Sequence, residues 1–354
     1  MYKIDVKSSS HNYQVVFESG LNSLVTDLSF FIIDRALSSN AWIASLDSSK
    51  VIFVEGSEKT KTIESCTDLI AMLASKGITR EHRLVAIGGG SVQDAVTLTA
   101  SLYMRGLRWC YVPTTFMSIA DSCIGGKSAI NVGNFKNLVG NIYPPEEIRI
   151  ESSFLKTLSA AGISSGLCEA VKIQIAKGAS DFKLFEEIYT NYSNDSEVTH
   201  LVLIAKESLK SKKWFIEVDE FDKKERKLLN YGHSFGHALE SATSMMLPHG
   251  LAIGVGMIVA NSQVPASAYI SNVNRVVTDI LKKSDFRFEE LEVDYVHFKN
   301  ALKMDKKNSE NKQTLVLVNS NNYLELVTST FEESKLNGQA NALKRVLKDL
   351  GGNS

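Results

Sequence analysis

Three of the chain's seven histidines fall in one run, LLNYGHSFGHALESATSMMLPHG at 228–250. His233 and His237 are four apart, so on a helix they stand on one face about a turn from each other, a common half-site for a metal. His249 follows MMLP, a helix stop and turn able to swing it back toward that face. Zinc takes imidazole nitrogens and a carboxylate oxygen, and a catalytic site leaves one position open for substrate. LCEAVK offers Glu169 inside an otherwise apolar helical pattern, with Lys172 a turn later. A carboxylate there is costly to bury without a cation. A lone histidine would read as packing. Three histidines with such a glutamate read as a metal site, although spacing leaves open which two of them bind.

Two further segments hold polar chemistry. LVAIGGGSVQDAV places Gly88, Gly89 and Gly90 between an apolar strand and a helix start, where bare backbone amides and the helix dipole suit an anionic pyrophosphate. It is not the G-x-G-x-x-G fingerprint, so a tight structural turn competes with a standard dinucleotide site. Asp94 lies one turn into that helix, and EGSEKTK brings Glu58 and Lys61 after the preceding strand. The segment PTTFMSIADSCIGGKSAINVGNFKNLVGNIYPP carries Asp121, Lys127, Lys136 and Asn137 among glycines and small residues. Lysines held in such a loop would converge on an anion, and a loop this long points to function rather than linkage.

These residues need elements to hold them. AWIASLD, KVIFVEG, RLVAIGGG and LRWCYVPTT have the apolar, β-branched character of buried strands. TKTIESCTDLIAMLASKG and SVQDAVTLTASLYMRG between them have helical spacing and end at glycine. Such alternation predicts an α/β fold with a parallel sheet covered on both faces. Near residue 155 the pattern turns helical, through LSAAGISSGLCEAVKIQIAKGA, residues 199–213 and NYGHSFGHALESATSMM. LAIGVGMIVANSQVPASAYI is apolar on every side and reads as one core helix. QTLVLVNSNNYLELV predicts a hairpin and ESKLNGQANALKRVLKDL a closing helix. With 354 residues, 44% apolar, 22% charged and a net charge of −1, the composition favours about two globular domains and disfavours nucleic acid as partner. Nothing is apolar enough to span a membrane and no signal-peptide block opens the chain. Cys66, Cys110, Cys123 and Cys168 lack paired spacing and read as buried free thiols, so a cytoplasmic location is expected.

Taken together, the motifs GGGSVQD, YMRG, PTTFMSIADSCIGGKSAIN, FKNLVG, GLCEAVK, DEFDKKERKLLNYGHSFGHALE, PHG and MDKKN resemble the 3-dehydroquinate synthases of the sugar phosphate cyclase superfamily. The resemblance runs from about Glu58 to Lys307, in family order. It implies an N-terminal Rossmann-like NAD-binding domain (1–155) and a C-terminal α-helical domain binding metal and substrate (156–354). It implies Zn2+, or Co2+, held by Glu169, His233 and His249, with His237 beside the substrate phosphate. Lys127, Asn230 and Lys306 or Lys307 would also meet that phosphate. Asp121, Lys136, Asn137, Lys172, Lys212 and Arg226 would surround the substrate hydroxyls and carboxylate. NAD contacts fall on Glu58, Lys61, the Gly88–Gly90 turn, Asp94, Thr114 and Thr115, with Asp121, Lys127 and Lys136 reaching the cofactor as well. Arg105 matches an arginine that enters the partner's site, which implies a homodimer.

The implied reaction converts 3-deoxy-D-arabino-heptulosonate 7-phosphate to 3-dehydroquinate. NAD takes a hydride at C5, the ketone acidifies the neighbouring C–H, phosphate leaves, the hydride returns and an aldol step closes the ring, so NAD is not consumed. Related cyclases acting on sedoheptulose 7-phosphate or an amino analogue, and a metal-dependent polyol dehydrogenase, are the alternatives. The chain departs from the family pattern in four places. Leu251 stands where HGE has glutamate, which predicts that His249 lacks an orienting carboxylate. An arginine is missing from LSAAGISSG, KSA replaces KTG at 127–129, and Asp222 replaces a glutamate.

Overall fold

The computed structural model describes residues 2–133, 135–305, 308 and 312–351, and only the backbone of Phe135. Lys306 and Lys307 lie outside the described residues. The chain divides into two compact units, Met1–Thr157 with Lys212–Glu220, and Leu158–Ser211 with Phe221–Ser354.

The first unit is built on a seven-stranded sheet. Its strands are β1 (Tyr2–Val6), β2 (Tyr13–Phe17), β3 (Ser29–Asp34), β4 (Val51–Val54), β5 (Arg83–Gly88), β6 (Trp109–Pro113) and a later strand, Glu147–Ile150, which is β9 once the hairpin β7 (Ile130–Val132) and β8 (Phe135–Val139) is counted. The order is β1-β2-β9-β6-β5-β3-β4. Every pairing in it is parallel except β1 with β2. Its central strands are apolar on both faces, as a covered parallel sheet demands. Phe31, Ile33, Val85, Ile87, Cys110 and Val112 form one core cluster against Leu24 and Phe154. Helices α2 (Ile63–Ser75) and α3 (Gly90–Leu102) follow β4 and β5.

One local expectation fails here, and one strand was not anticipated. AWIASLD is not a strand. Asn40 accepts hydrogen bonds from the amides of Trp42 and Ile43 and so starts a one-turn helix, α1 (Ala41–Ala44). Strand β3, SFFIID, which lies beside the edge strand β4, is not among the expected strands, although its apolar run ends at Asp34 as a buried strand does. The lysine-bearing segment is also more ordered than its sequence suggests, with a π-helical turn at Ser118–Ser122 and the β7–β8 hairpin. All four cysteines are free and buried, as expected.

The second unit is helical: α4 (Ala160–Lys177), α5 (Ala179–Asp195), α6 (Val198–Val218, whose last turns from Lys212 count with the first unit), α7 (His233–Ala242), α8 (His249–Asn261), α9 (Ala268–Lys282), α10 (Tyr295–Lys303) and α11 (Glu333–Gly351). The hairpin β10 (Lys312–Val318) with β11 (Leu324–Thr330) appears where predicted. The long apolar stretch beginning at Leu251 is two helices rather than one. Pro265 lies between them, and Ser267 caps the second by accepting from the Ile270 amide. No helix among the described residues is long and apolar enough to cross a membrane.

Helix α8 is the pillar of this unit, with Leu251 through Met257 buried. It touches α4 on one side and α7 on the other at backbone distance. A Cβ at Gly250 would sit 2.0 Å from the Ser165 carbonyl oxygen of α4, and one at Gly256 would sit 2.2 Å from the carbonyl oxygen of Gly232, just before α7. Neither neighbour is a side chain that can swing away, so both positions demand glycine.

Gly250→Ala should therefore lower the unfolding free energy by about 1–3 kcal/mol through overpacking. Gly338→Ala in α11, with no atom within 4 Å of the added Cβ, should be neutral or stabilising by up to about 1 kcal/mol. Urea denaturation of the two variants checks the contrast, and equal effects would contradict the packing argument.

Candidate active site

Glu169 lies in the middle of α4 and is 1% exposed. Burial alone would raise its carboxyl, but the Lys172 ammonium together with His249 and His233 outweighs burial and holds it well below the usual carboxylate range. Its Oε2 takes the Lys172 ammonium. Its Oε1 makes no hydrogen bond, while His249 Nε2 stands 3.4 Å away, within ion-pair reach but without hydrogen-bond geometry. A buried carboxylate oxygen left this way is poised for a cation.

The imidazoles come from α7 and the first residue of α8. The ligand nitrogens of His233, His237 and His249 all lie within 4.8 Å of one another. His233 Nδ1 meets the Tyr231 carbonyl oxygen at 3.2 Å, and His249 Nδ1 meets Glu240 Oε2 at 3.1 Å. An oxygen of either kind only accepts, so each Nδ1 carries the proton, which leaves each Nε2 as the candidate ligand atom. Desolvation first, and then the Lys172 charge, keeps His233 well below its ordinary value and neutral, the form a metal needs. His249 is the opposite case. Burial would lower it, yet the neighbouring Glu169 and Glu240 carboxylates push it up to about 10, so its proton supplies positive charge where an ion would otherwise lie. His237 is the exposed member of the trio.

The remaining candidates of this unit lie just upstream of α7, on the 3-10 segment Glu225–Asn230. Arg226 is buried, and the Asn230 amide donates to the Lys227 carbonyl oxygen at 3.1 Å.

The first unit gathers its own polar residues into two groups. Lys61 is buried, 2.8 Å from Asp94 and 3.4 Å from Glu58, and it donates to Asn137 Oδ1 at 3.2 Å. Glu58 in turn accepts from Asn131, and Asp94 accepts from the Ala129 amide. Desolvation raises the Asp94 carboxyl despite Lys61. For Lys61 desolvation is outweighed by Asp94 and Glu58, so its value rises. In the second group Lys212 donates to Asp121, with an ion pair of 2.5 Å and a further bond of 2.7 Å to the backbone oxygen of the same residue. Thr114 is buried, its amide bonded to the Gly88 oxygen, and Thr115 bonds Ser118. Gly89 caps α3 without a side chain, and Gly90 is its first residue. That leaves the amides of the helix start uncapped by any side chain, the arrangement that suits an anion. Lys127, Lys136 and Asn137 are exposed. Arg105 is exposed on the turn after α3, where Met104 and Arg105 have φ of 50° and 66°.

One expectation is corrected by geometry. Position 251 follows His249 by two residues on α8, and residues so spaced face different sides of a helix. Leu251 is fully buried in the core and is not what orients His249; Glu240 occupies that place. Glu240 went unnoticed in the sequence because a single helical glutamate ordinarily reads as a solvated face. The available signal was its spacing, seven after His233 and three after His237, which puts all three on one side of α7.

The fold is one shared by NAD-linked sugar phosphate cyclases and metal-dependent alcohol dehydrogenases. It is similar to 2-deoxy-scyllo-inosose synthase, solved with carbaglucose-6-phosphate, NAD+ and Co2+ (TM-score 0.82, 21% identity, 97% of this chain and 100% of that one). It is also similar to the 2-epi-5-epi-valiolone synthase of Streptomyces hygroscopicus, solved with NAD+ and Zn2+ (TM-score 0.76, 21% identity, 96% of both chains). A probable glycerol dehydrogenase of Sinorhizobium meliloti is more distant, with a TM-score of 0.61 at 13% identity over 96% of this chain and 98% of that one. Sequence narrows the class. Residues 51–165 match the 3-dehydroquinate synthase N-terminal family and 166–308 the 3-dehydroquinate synthase C-terminal family. The 3-dehydroquinate synthase of Campylobacter jejuni is 31% identical over 89% of this chain and 92% of its own length, and that of Clostridium tetani 34% over 76% and 72%. The chain belongs to the 3-dehydroquinate synthase family and is an enzyme of the carbon–oxygen lyase type.

Removing the Lys172 ammonium leaves Glu169 buried without it. In metal-free protein Lys172→Met should cost about 3–5 kcal/mol of stability, and adding Glu169→Leu should recover much of that loss. Urea unfolding of the single and double variants checks it; a single-variant loss under about 1 kcal/mol would contradict the dependence of Glu169 on Lys172.

Proposed function

We propose that the chain converts 3-deoxy-D-arabino-heptulosonate 7-phosphate to 3-dehydroquinate and inorganic phosphate, with NAD and a divalent metal, Zn2+ or Co2+, as its resident cofactors. The observation that carries the reading is the buried Glu169 oxygen without a hydrogen bond, facing imidazoles whose outer nitrogens are already engaged. That donor set, one carboxylate and two imidazoles, of which His249 would give up its Nε2 proton to the ion, fits a catalytic zinc site with a position left for substrate. Glu169, His233 and His249 would hold the ion. His237 shares their face of the unit but is exposed, as a group meeting substrate rather than metal would be.

When bound, the ion would polarise a substrate hydroxyl and NAD would accept and return the hydride. The side chains do the rest. Lys127, Asn230 and His237 would bind the phosphate and stabilise charge that grows as it departs, since fixed cations in a dry site act strongly on developing charge. Lys306 or Lys307, outside the described residues, would add to them. Arg226 would pair with the substrate carboxylate, for which a planar guanidinium is suited. Asp121, held by Lys212, together with Lys136, Asn137 and Lys172, would orient the ring hydroxyls. The uncapped start of α3 after Gly88 and Gly89, with Thr114, Thr115 and the Glu58–Lys61–Asp94 group, would seat the dinucleotide. We read the enzyme as a cytoplasmic homodimer in which Arg105, on its exposed turn, completes the partner's site.

Purified protein given catalytic NAD and Zn2+ should release one phosphate per heptulosonate phosphate consumed, with no net NADH. Release from sedoheptulose 7-phosphate alone would overturn the substrate, and accumulating NADH would overturn cyclisation. Metal analysis adds a second check. Glu169→Ala, His233→Ala and His249→Ala should each lose the ion, whereas His237→Ala should retain it with turnover reduced about 10²-fold or more, as for loss of one transition-state donor.

A further inference from the structure

His249 is the least secured of the three proposed ligands. It is the first residue of α8, its side chain is 36% exposed, and Pro248 before it offers no side-chain cap. Beyond its ring contacts with His233 and His237, its orientation depends on the hydrogen bonds it makes. Glu240, 8% exposed and near the C-terminal end of α7, supplies one at 3.1 Å on Nδ1. The α7–α8 seam brings it there. Gly236 lies against Ile253 and the Ala252 carbonyl, and Gly256 against the Gly232 carbonyl, so the two helix backbones run close enough for a short carboxylate to span the gap. His233 needs no such carboxylate, because the Tyr231 carbonyl two residues upstream holds its Nδ1.

We propose that Glu240 is the positioning residue of the metal site: its carboxylate locks the His249 ring with Nδ1 protonated and Nε2 turned toward Glu169, and so sets metal affinity. The inference rests on the Glu169–His233–His249 reading above. It also accounts for a core leucine at 251, because the work of orienting His249 falls to the neighbouring helix. A carboxylate on the outer nitrogen of a ligating histidine raises the basicity of the inner one and removes the ring's rotational freedom, and losing it typically weakens binding 10–100-fold.

The test is a Zn2+ titration of metal-depleted protein against a competing chelator, paired with the visible spectrum of the Co2+-loaded form. Glu240→Ala should bind Zn2+ 10–100-fold more weakly and alter the Co2+ bands. Glu240→Gln, whose amide oxygen still accepts from Nδ1 but carries no charge, should fall between it and wild type. Circular dichroism of the metal-free proteins confirms folding, and the near-isosteric glutamine variant decides the matter if the alanine variant does not fold. Affinities within twofold of wild type and an unchanged Co2+ spectrum, while Glu169→Ala abolishes binding, would overturn the role of Glu240 and leave the metal centre standing. Wild-type binding by Glu169→Ala would overturn the metal centre and this inference with it.

Discussion

A carboxylate in the middle of an apolar helix must be given positive charge or be neutralised. The second unit satisfies that demand at Glu169 twice over, once by Lys172 on the same helix and once by the imidazoles of α7 and α8. The second supply exists only because α8 packs at backbone distance on both neighbours. With side chains at Gly250 or Gly256 the helices would stand further apart, and His249 would no longer lie beside Glu169. Helix packing and the chemistry of the site are one arrangement seen at two scales.

The first unit uses the same physics in another form. Its ion pairs, Lys61 with Asp94 and Lys212 with Asp121, are largely shielded from water. Such pairs add little net stability compared with an apolar core, so their value lies in fixing side chains. They hold polar groups near the glycine turn and near the Ser118–Ser122 segment in set orientations.

Much of this was legible beforehand. The i, i+4 histidines and the lone apolar-helix glutamate announce themselves, because burying a charge without reason is rare. The parallel sheet followed from strand–helix alternation. What was misread was partly local capping and breaking, and partly contacts between elements distant in the chain. Asn40 capping overrode the strand-like look of AWIASLD, and Pro265 divided an apolar run that periodicity alone reads as one helix. Glu240 is the instructive miss. Its spacing from His233 was visible, but its burial and its contact with His249 arise only when α7 meets α8. Leu251 misled for the complementary reason: adjacency in sequence to His249 does not put a side chain on that histidine's face of the helix.

The central claim is that one carboxylate and two imidazoles hold the ion. X-ray absorption at the zinc edge of the reconstituted enzyme counts coordinated imidazole rings directly through their outer-shell scattering. The account predicts two rings with oxygen ligands at about 2.0–2.2 Å completing the sphere. Three rings, with His237 bound and Glu169 left to Lys172 alone, would contradict it.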